Sequence, residues 1–251
     1  MSVGNLLLDR LPREVSERIK SSLTHVTLPQ GEVLHRPGEE IRSLYFPLTC
    51  MISVTIMMID GRTIEVAAIG NRDVVGINAF MGGHETTQTE YVVQLPGRAM
   101  KIAASSLKPE FNRNTELRDL MLIYTQVFMA QMSHNIACIR LHTLDQRLAR
   151  WLLEIRDRIQ SDTFDITHEF ISQMLGVRRA GVSVAASQLK EAKVIDYDRG
   201  AVRIVDVTAL RERSCECFAS LKEEAHRLLG ERASWNSTPP TFLNSFEAPS
   251  S

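Results

Sequence analysis

The spacing of apolar residues along the chain changes twice. Between residues 5 and 23, Leu7, Leu11, Val15 and Ile19 recur every four positions, which predicts a short amphipathic helix. From about Val26 to Ala104 the pattern becomes short and strand-like. The runs MISVTIMMI, RTIEVAAIG, TEYVVQL and RAMKIAA are separated by turn signals at Pro29-Gln30-Gly31, Pro37-Gly38, Asp60-Gly61, Gly82-Gly83 and Pro96-Gly97. Closely spaced short strands of this kind predict an antiparallel barrel or sandwich of the jelly-roll type, with Asp60-Gly61 closing a hairpin.

The texture then turns helical. No Gly or Pro occurs from Glu116 to Cys138. One seam of this segment reads Leu117, Met121, Tyr124, Phe128, Gln131, Asn135 and Cys138; a second reads Leu120, Ile123, Val127, Ala130, His134 and Ala137. One seam suffices to dock a helix on its own domain. Two imply a second surface, and another copy of the chain is the natural candidate, with Gln131 and Asn135 as register-fixing polar residues. The alternative is a helix buried within a single chain.

A further helix starts at Thr143, which forms a capping box with Gln146 and precedes the apolar face of Leu148, Trp151, Leu152 and Ile155. A polar break at Ser161–Asp165 follows. In residues 166–195, Thr167 reads as an N-cap with Glu169 in the first turn. Ile171, Met174 and Leu175 give a short buried face, and Gly176 ends the helix. Val182, Ala185, Ala186 and Leu189 face inward on the next helix, leaving Arg178, Arg179, Ser183 and Val184 outside. A short helix, a Gly turn and a second helix opening on an Arg pair describe a DNA-reading helix-turn-helix. The hairpin IDYDRGAVRIV, turning at Asp198-Arg199-Gly200, supplies a wing. The bland alternative is a helical hairpin that only packs, with two ordinary solvated arginines.

Composition narrows the class. The chain has 251 residues, 44% hydrophobic and 24% charged, which excludes collagen-like, disordered and disulfide-stapled classes for most of it. That length fits one large domain or two of ordinary size. Lys and Arg number 29 against 30 Asp and Glu, a balance that at first speaks against a nucleic-acid partner. Residues 140–205, however, hold 11 Lys and Arg against 9 Asp and Glu. The excess is small, so binding must rest on a local surface around Arg178, Arg179 and Lys190, doubled by dimerisation. The N-terminus lacks a basic-then-apolar signal and no apolar run is long enough to span a bilayer, so a cytoplasmic protein without a membrane partner is expected. The tail from about Ser234 is rich in Ser, Pro and Asn and reads as disordered.

Cys50, Cys138, Cys215 and Cys217 form no Cys-x-x-Cys pair and no Cys/His set with zinc spacing. They read as reduced thiols, and Cys215-Glu216-Cys217 alone makes an incomplete metal site. No nucleophile–base, paired-carboxylate or metal constellation points to an enzyme.

The order of roll, long helix and winged helix resembles the Crp/Fnr regulators over about residues 6–230. The most specific parts are RLARWLLEIRD and the 166–195 segment, supported by GEVLHRPGEEIRSLYFPLTCMISV, in which YFP and Asp60-Gly61-Arg62 are typical of one branch. The resemblance implies an α+β chain: helix and β-roll over 1–115, dimerisation helix and hinge over 116–142, winged helix-turn-helix over 143–233, and tail over 234–251. It implies a homodimer that binds two-fold-related double-stranded DNA, with RNA polymerase as a further partner. A small-molecule-sensing module whose winged helix contacts a protein is the rival reading.

Arg179 matches the family's base-reading Arg. Ala180 stands where the family often has Glu, and Val184 replaces a further reading Arg. Methyl-bearing side chains there can meet a thymine methyl but cannot pair with cytosine or guanine edges. Thr167, His168, Arg178, Ser183 and Ser187 are the expected phosphate contacts. Gly181 either permits close approach to the DNA backbone or is simply tolerated.

The effector cassette departs from the family. Nucleotide-binding members hold the ribose with a Glu and the cyclic phosphate with an Arg. Here the stretch begins Gly76-Ile77-Asn78, placing Ile77 at the Glu position, and the Arg position falls on Thr87 or Gln88. No Lys or Arg lies between Asp73 and Gly97, while Glu85 and Glu90 would repel a phosphate. Cyclic AMP is therefore not expected to bind in the family's manner, and no cofactor is expected. The first cysteine, Cys50, lies too late for the family's N-terminal iron–sulfur cluster, and His84 is the one haem-ligand candidate. An unidentified effector, or none, remains. The hinge is expected near Ile139–Thr143.

Overall fold

The computed structural model describes residues 4–82, 85–198 and 200–229. Gly83, His84, Arg199 and the tail from residue 230 lie outside the described residues, and with them the haem candidate, part of the wing turn and the expected disordered tail. The α+β architecture expected from the sequence is present.

The N-terminal apolar period is not one helix. A 3-10 turn at Leu8–Arg10 is followed by α1 (Arg13–Ile19) and a second 3-10 turn at Lys20–Ser22. Pro12 immediately precedes α1 and separates the pieces, because proline has no N–H to continue a helix from the preceding turn.

Among the described residues, seven strands build the roll: β1 (Thr24–Leu28), β2 (Val33–His35), β3 (Ser43–Pro47), β4 (Met51–Met57), β5 (Thr63–Ile69), β6 (Glu90–Leu95) and β7 (Gly97–Ala103). They form two antiparallel sheets, ordered β1-β7-β3 and β2-β6-β4-β5. Alternation along β3 and β7 explains the layering. Leu44, Phe46, Met100 and Ile102 point to the helices, whereas Tyr45 and Ala99 join Ile52, Val54, Tyr91 and Val93 inside the roll. The β4–β5 hairpin turns at Asp60-Gly61 as its sequence implies.

A helix that the strand-like texture concealed, α2 (Ala104–Arg113), follows despite an internal Pro109. Then comes α3 (Thr115–Leu141), capped by Asn114, whose side chain accepts from the Leu117 amide. The seam expected to face a second copy lies instead against the chain's own roll. Leu117, Met121 and Tyr124 belong to the roll–helix core, with half-buried Phe128 packed against it. Gln131 Nε2 donates to the Ala68 carbonyl at 3.1 Å and Asn135 Nδ2 to the Val66 carbonyl at 2.8 Å. The two polar residues thus satisfy backbone groups of β5 and do not fix a dimer register. Val127, Ala130 and His134 of the second seam face the last helix, α8 below.

The C-terminal part comprises α4 (Leu144–Ile159), β8 (Thr163–Asp165), α5 (His168–Leu175), α6 (Arg179–Glu191), β9 (Ile195–Asp198), β10 (Ala201–Ile204), α7 (Val207–Arg213) and α8 (Cys217–Leu229). The polar break at 161–165 contains a strand after all. Phe164 is buried, and β8 pairs with β10 to make the wing three-stranded, ordered β8-β10-β9.

The two parts share one core. Met51, Ala68 and Leu95 of the roll pack with Trp151, Leu152 and Ile155 of α4. Gly70 permits the contact: a Cβ there would lie 2.4 Å from Arg158 Cβ. Arg72 and Lys222 both pair with Asp157, at 3.1 and 3.0 Å. Deep in the interface, Trp151 Nε1 donates to Glu65 Oε1 at 3.0 Å. Among the described residues no helix is long and apolar enough to cross a membrane.

Candidate nucleic-acid interface

The reading head is set by local chemistry. Thr167 Oγ1 accepts from the Phe170 amide and caps α5. Gly176 ends it at φ +62°, a left-handed conformation that disfavours side chains. After this turn, α6 begins at Arg179 with Arg178 as its N-cap residue. Val182, Ala185, Ala186 and Leu189 are buried as expected, which turns the opposite face of α6 outward. Arg178, Arg179, Ala180 and Ser187 are exposed, and Val184 is 59% exposed. The three base-reading candidates, Arg179, Ala180 and Val184, therefore share one solvent-facing surface.

Among the phosphate candidates, two hydroxyls and the histidine are already engaged. Thr167 is exposed but spends its oxygen on the cap. His168 Nδ1 lies 3.0 Å from Ser183 Oγ, and its ring stacks on Tyr197 with centroids 4.3 Å apart. Desolvation, and then the charge of Arg179, hold the His168 pKa below the ordinary 6.5. His168 is therefore a strut joining α5, α6 and the wing, and its ring is already committed to Ser183 and Tyr197 rather than free for a phosphate. Lys190 is likewise committed: its ammonium donates to the Tyr197 carbonyl at 2.7 Å and pairs with Asp196 at 3.3 Å. Arg203 meets the same carboxylate at 3.2 Å. The cationic surface thus contracts toward Arg178 and Arg179. Gly181 has an internal explanation, since a Cβ there would lie 3.0 Å from Leu144 Cδ2; α6 crosses close to α4.

The reading head touches its own roll. A Cβ on Gly176 would be 3.1 Å from Ile64 Cδ1 of β5. Beside this contact lies an open cleft of about 1130 Å³, lined on one side by Thr55, Arg62 and Glu90 and on the other by Glu169, Arg178 and Arg179.

In the roll, the cassette is packed rather than open-handed. Gly76 is buried against the Ser43 carbonyl and His35. Ile77 is buried in the roll–helix core, and Asn78 Oδ1 accepts from Tyr91 Oη at 3.5 Å. Thr87 is buried, its Oγ1 taken by the Thr89 hydroxyl at 2.8 Å and the Thr89 amide at 3.1 Å. Gln88 points to solvent. Lys108, which reaches this region from α2, is paired with Glu85. His35 stands edge-on to Tyr45 and Tyr91, and desolvation lowers its pKa to about 4.

Sequence reasoning missed a third stripe on α3. Leu122, Met129 and Ile136 are 56%, 59% and 72% exposed at seven-residue intervals, with Thr125, Met132 and Ile139 interleaved. This a/d pattern was legible from spacing alone but was masked by the richer seams beside it. The cysteines are corrected too. Cys215 and Cys217 are not without further ligands, because α3 delivers Cys138 and His142 to the same point.

Two family models match the chain: the cyclic nucleotide-binding domain over residues 25–114 and the Crp-like helix-turn-helix domain over residues 146–213. Solved structures share the fold. FixK2 from Bradyrhizobium japonicum is 16% identical with a TM-score of 0.66, covering 77% of this chain and 98% of its own. A CRP-family transcriptional regulator from Thermus thermophilus is 20% identical with a TM-score of 0.63, covering 75% and 96%. The c-di-GMP-responsive global regulator CLP from Xanthomonas campestris is 13% identical with a TM-score of 0.60, covering 77% and 99%. No curated protein sequence matches the chain.

Proposed function

The chain belongs to the Crp/Fnr family of transcription regulators, and from that premise we propose that it is a homodimeric, sequence-specific DNA-binding regulator. The observation that carries the proposal is the exposed Arg179–Ala180–Val184 surface at the start of a helix whose other face is fully packed. Arg179 is the base reader, suited to guanine O6 and N7. Ala180 and Val184 add apolar contacts, and Arg178 and Ser187 position the backbone.

The exposed heptad of α3 is the dimer seam. A stripe of Leu122, Met129 and Ile136, left in water, is the surface that a second copy would cover. Two recognition helices would then be presented to a two-fold-related site. The roll holds no cyclic phosphate in the family's way. Ile77 and Thr87 are spent on packing and internal hydrogen bonds, and the nearby Lys108 is paired. An effector, where one acts, would work by shifting the hinge at residues 142–143, between α3 and α4, and releasing α5 from β5. RNA polymerase is the partner that such a regulator would contact in activation.

Selection of bound sites from a random DNA pool tests the reading. The expected result is a palindromic site whose affinity falls steeply with salt and drops in Arg179→Ala. Enrichment of no common sequence, or equal binding by Arg179→Ala, refutes it.

A further inference from the structure

Four ligand-type side chains meet at the junction of α3 with the C-terminal helices. Cys138 lies in the last turn of α3 and His142 is its C-cap residue, four positions on and hence on the same face. Cys215 lies in the link from α7 to α8 and Cys217 opens α8, with Glu216 between them. Cys138 Sγ and Cys215 Sγ are 3.5 Å apart, and Cys217 Sγ is 3.7 Å from His142 Nδ1. All four ligand atoms lie within 4.8 Å of one another. A tetrahedral ion with bonds of about 2.3 Å to sulfur requires ligand separations of about 3.8 Å. The observed spacing is close to that cage.

We propose that Cys138, His142, Cys215 and Cys217 form a Cys3His site for a single thiophilic divalent ion of the zinc class. Three soft sulfurs and an imidazole disfavour magnesium or calcium, which take oxygen ligands. A multi-iron cluster needs a wider cage, because several metal atoms must lie between the ligands. The surroundings fit as well. His142 faces Cys217 through Nδ1, while Nε2 lies 3.1 Å from the Glu216 carboxylate, which would fix the tautomer and orient the ring. Three thiolates, a neutral imidazole and a divalent ion carry one net negative charge. Arg147, buried, presents its positive charge to Cys138 and Cys215; Arg150, also buried, divides its charge between the cysteines and the Glu154 carboxylate 2.5 Å away. Arg147 uses its guanidinium on the Leu175 carbonyl, a neutral acceptor that leaves its charge available to an anionic centre.

The alternative for buried cysteines is simple packing as small apolar groups. Their placement argues otherwise: Cys138, Cys215 and Cys217 form a cluster of their own, apart from the three apolar cores. A bound ion would clamp the end of the long helix to the first turn of α8, across the hinge segment. The site itself does not depend on what α6 reads.

The full chain, purified under reducing conditions without chelator, would be assayed for zinc and titrated with Co2+. The expected result is one ion per chain, with the visible absorption of four-coordinate cobalt and thiolate-to-cobalt charge transfer. Both are lost in Cys138→Ser and Cys215→Ser and retained in Cys50→Ser, whose thiol lies buried in the roll. Glu216→Gln, on an exposed side chain, should weaken the metal about 10–100-fold without loss of fold. Reduced wild-type chain that takes up no cobalt, with its four thiols titratable, overturns the proposal. So does a cobalt spectrum that persists in folded Cys138→Ser, or a Cys138–Cys215 disulfide whose reduction yields no metal uptake. Because the wild-type spectrum and Glu216→Gln suffice, failure of a cysteine variant to fold does not spoil the test.

Discussion

Replacing Glu65 with Gln should remove a pH dependence built into the interface between the roll and α4. Glu65 lies on β5, buried, with Oε1 accepting from Trp151 Nε1 and Oε2 2.5 Å from Ser53 Oγ; that hydroxyl is 2.8 Å from Gln94 Oε1. Ser53 has one proton to give. When Glu65 is protonated it donates to Ser53, and Ser53 donates to Gln94, so every oxygen is satisfied. When it is ionised, Ser53 gives its proton to the carboxylate, and its contact with the Gln94 oxygen loses a donor unless the carboxamide turns its Nε2 toward Ser53. Desolvation is the largest cause that raises the Glu65 pKa from 4.5 to about 7, opposed by the Ser53 and Trp151 hydrogen bonds. The folded state therefore holds a proton that the unfolded state releases. The stabilising contribution is fully present below pH 4.5 and is lost as pH rises through 7. At about 1.4 kcal/mol per pH unit, the loss amounts to about 3 kcal/mol. The carboxamide of Glu65→Gln would keep both roles, its oxygen accepting from Trp151 and its amide donating to Ser53, without a charge to bury. Urea unfolding of wild type and Glu65→Gln from pH 5 to 9, at fixed protein concentration, cancels the other titrating groups by difference. The variant should gain about 3 kcal/mol on wild type across that range. A difference that stays flat with pH refutes the assignment of the proton to Glu65.

Other substitutions probe the remaining surfaces. Arg179→Ala should weaken the selected DNA site by about 1–3 kcal/mol per half-site and relax specificity at one base pair, read by competition binding across site variants. Ile136→Glu places charge on the exposed stripe of α3 and should shift sedimentation equilibrium from dimer to monomer while circular dichroism stays unchanged; a persistent dimer would place the seam elsewhere. Gly70→Ala puts a methyl into Arg158 and should cost about 1–3 kcal/mol, with Trp151 becoming accessible to a fluorescence quencher.

The parts of the molecule readable from sequence are those whose causes are local. Thr167, Gly176 and the Thr143–Gln146 box each fix a helix end through the residues beside them, so the reading head was legible in outline. Asp60-Gly61 declared its hairpin in the same way. Properties that depend on distant partners were not legible. The seams of α3 are apolar whichever surface covers them, and only the fold brings Gln131 and Asn135 to carbonyls of β5 more than sixty residues away. His168 looked like a phosphate contact because nothing nearby in sequence reveals Tyr197 beneath it. Cys138 and Cys215 are separated by 77 residues, so their meeting is a property of the fold. Even there, the Cys138–His142 spacing on a single helix was a cue available beforehand.

The apolar core shared by the roll and α4 has a thermodynamic consequence. Met51, Ala68 and Leu95 contact Trp151 and Leu152 without an intervening solvent layer, so the two parts are coupled in unfolding as well as in shape. Heating should melt them in one calorimetric transition rather than two, and a core lesion in the roll should lower the melting point of the winged helix. Any swing of the reading head must first expose this surface to water. A conformational switch of the kind proposed above would therefore be closer to partial unmelting of a joint than to the turning of a free hinge.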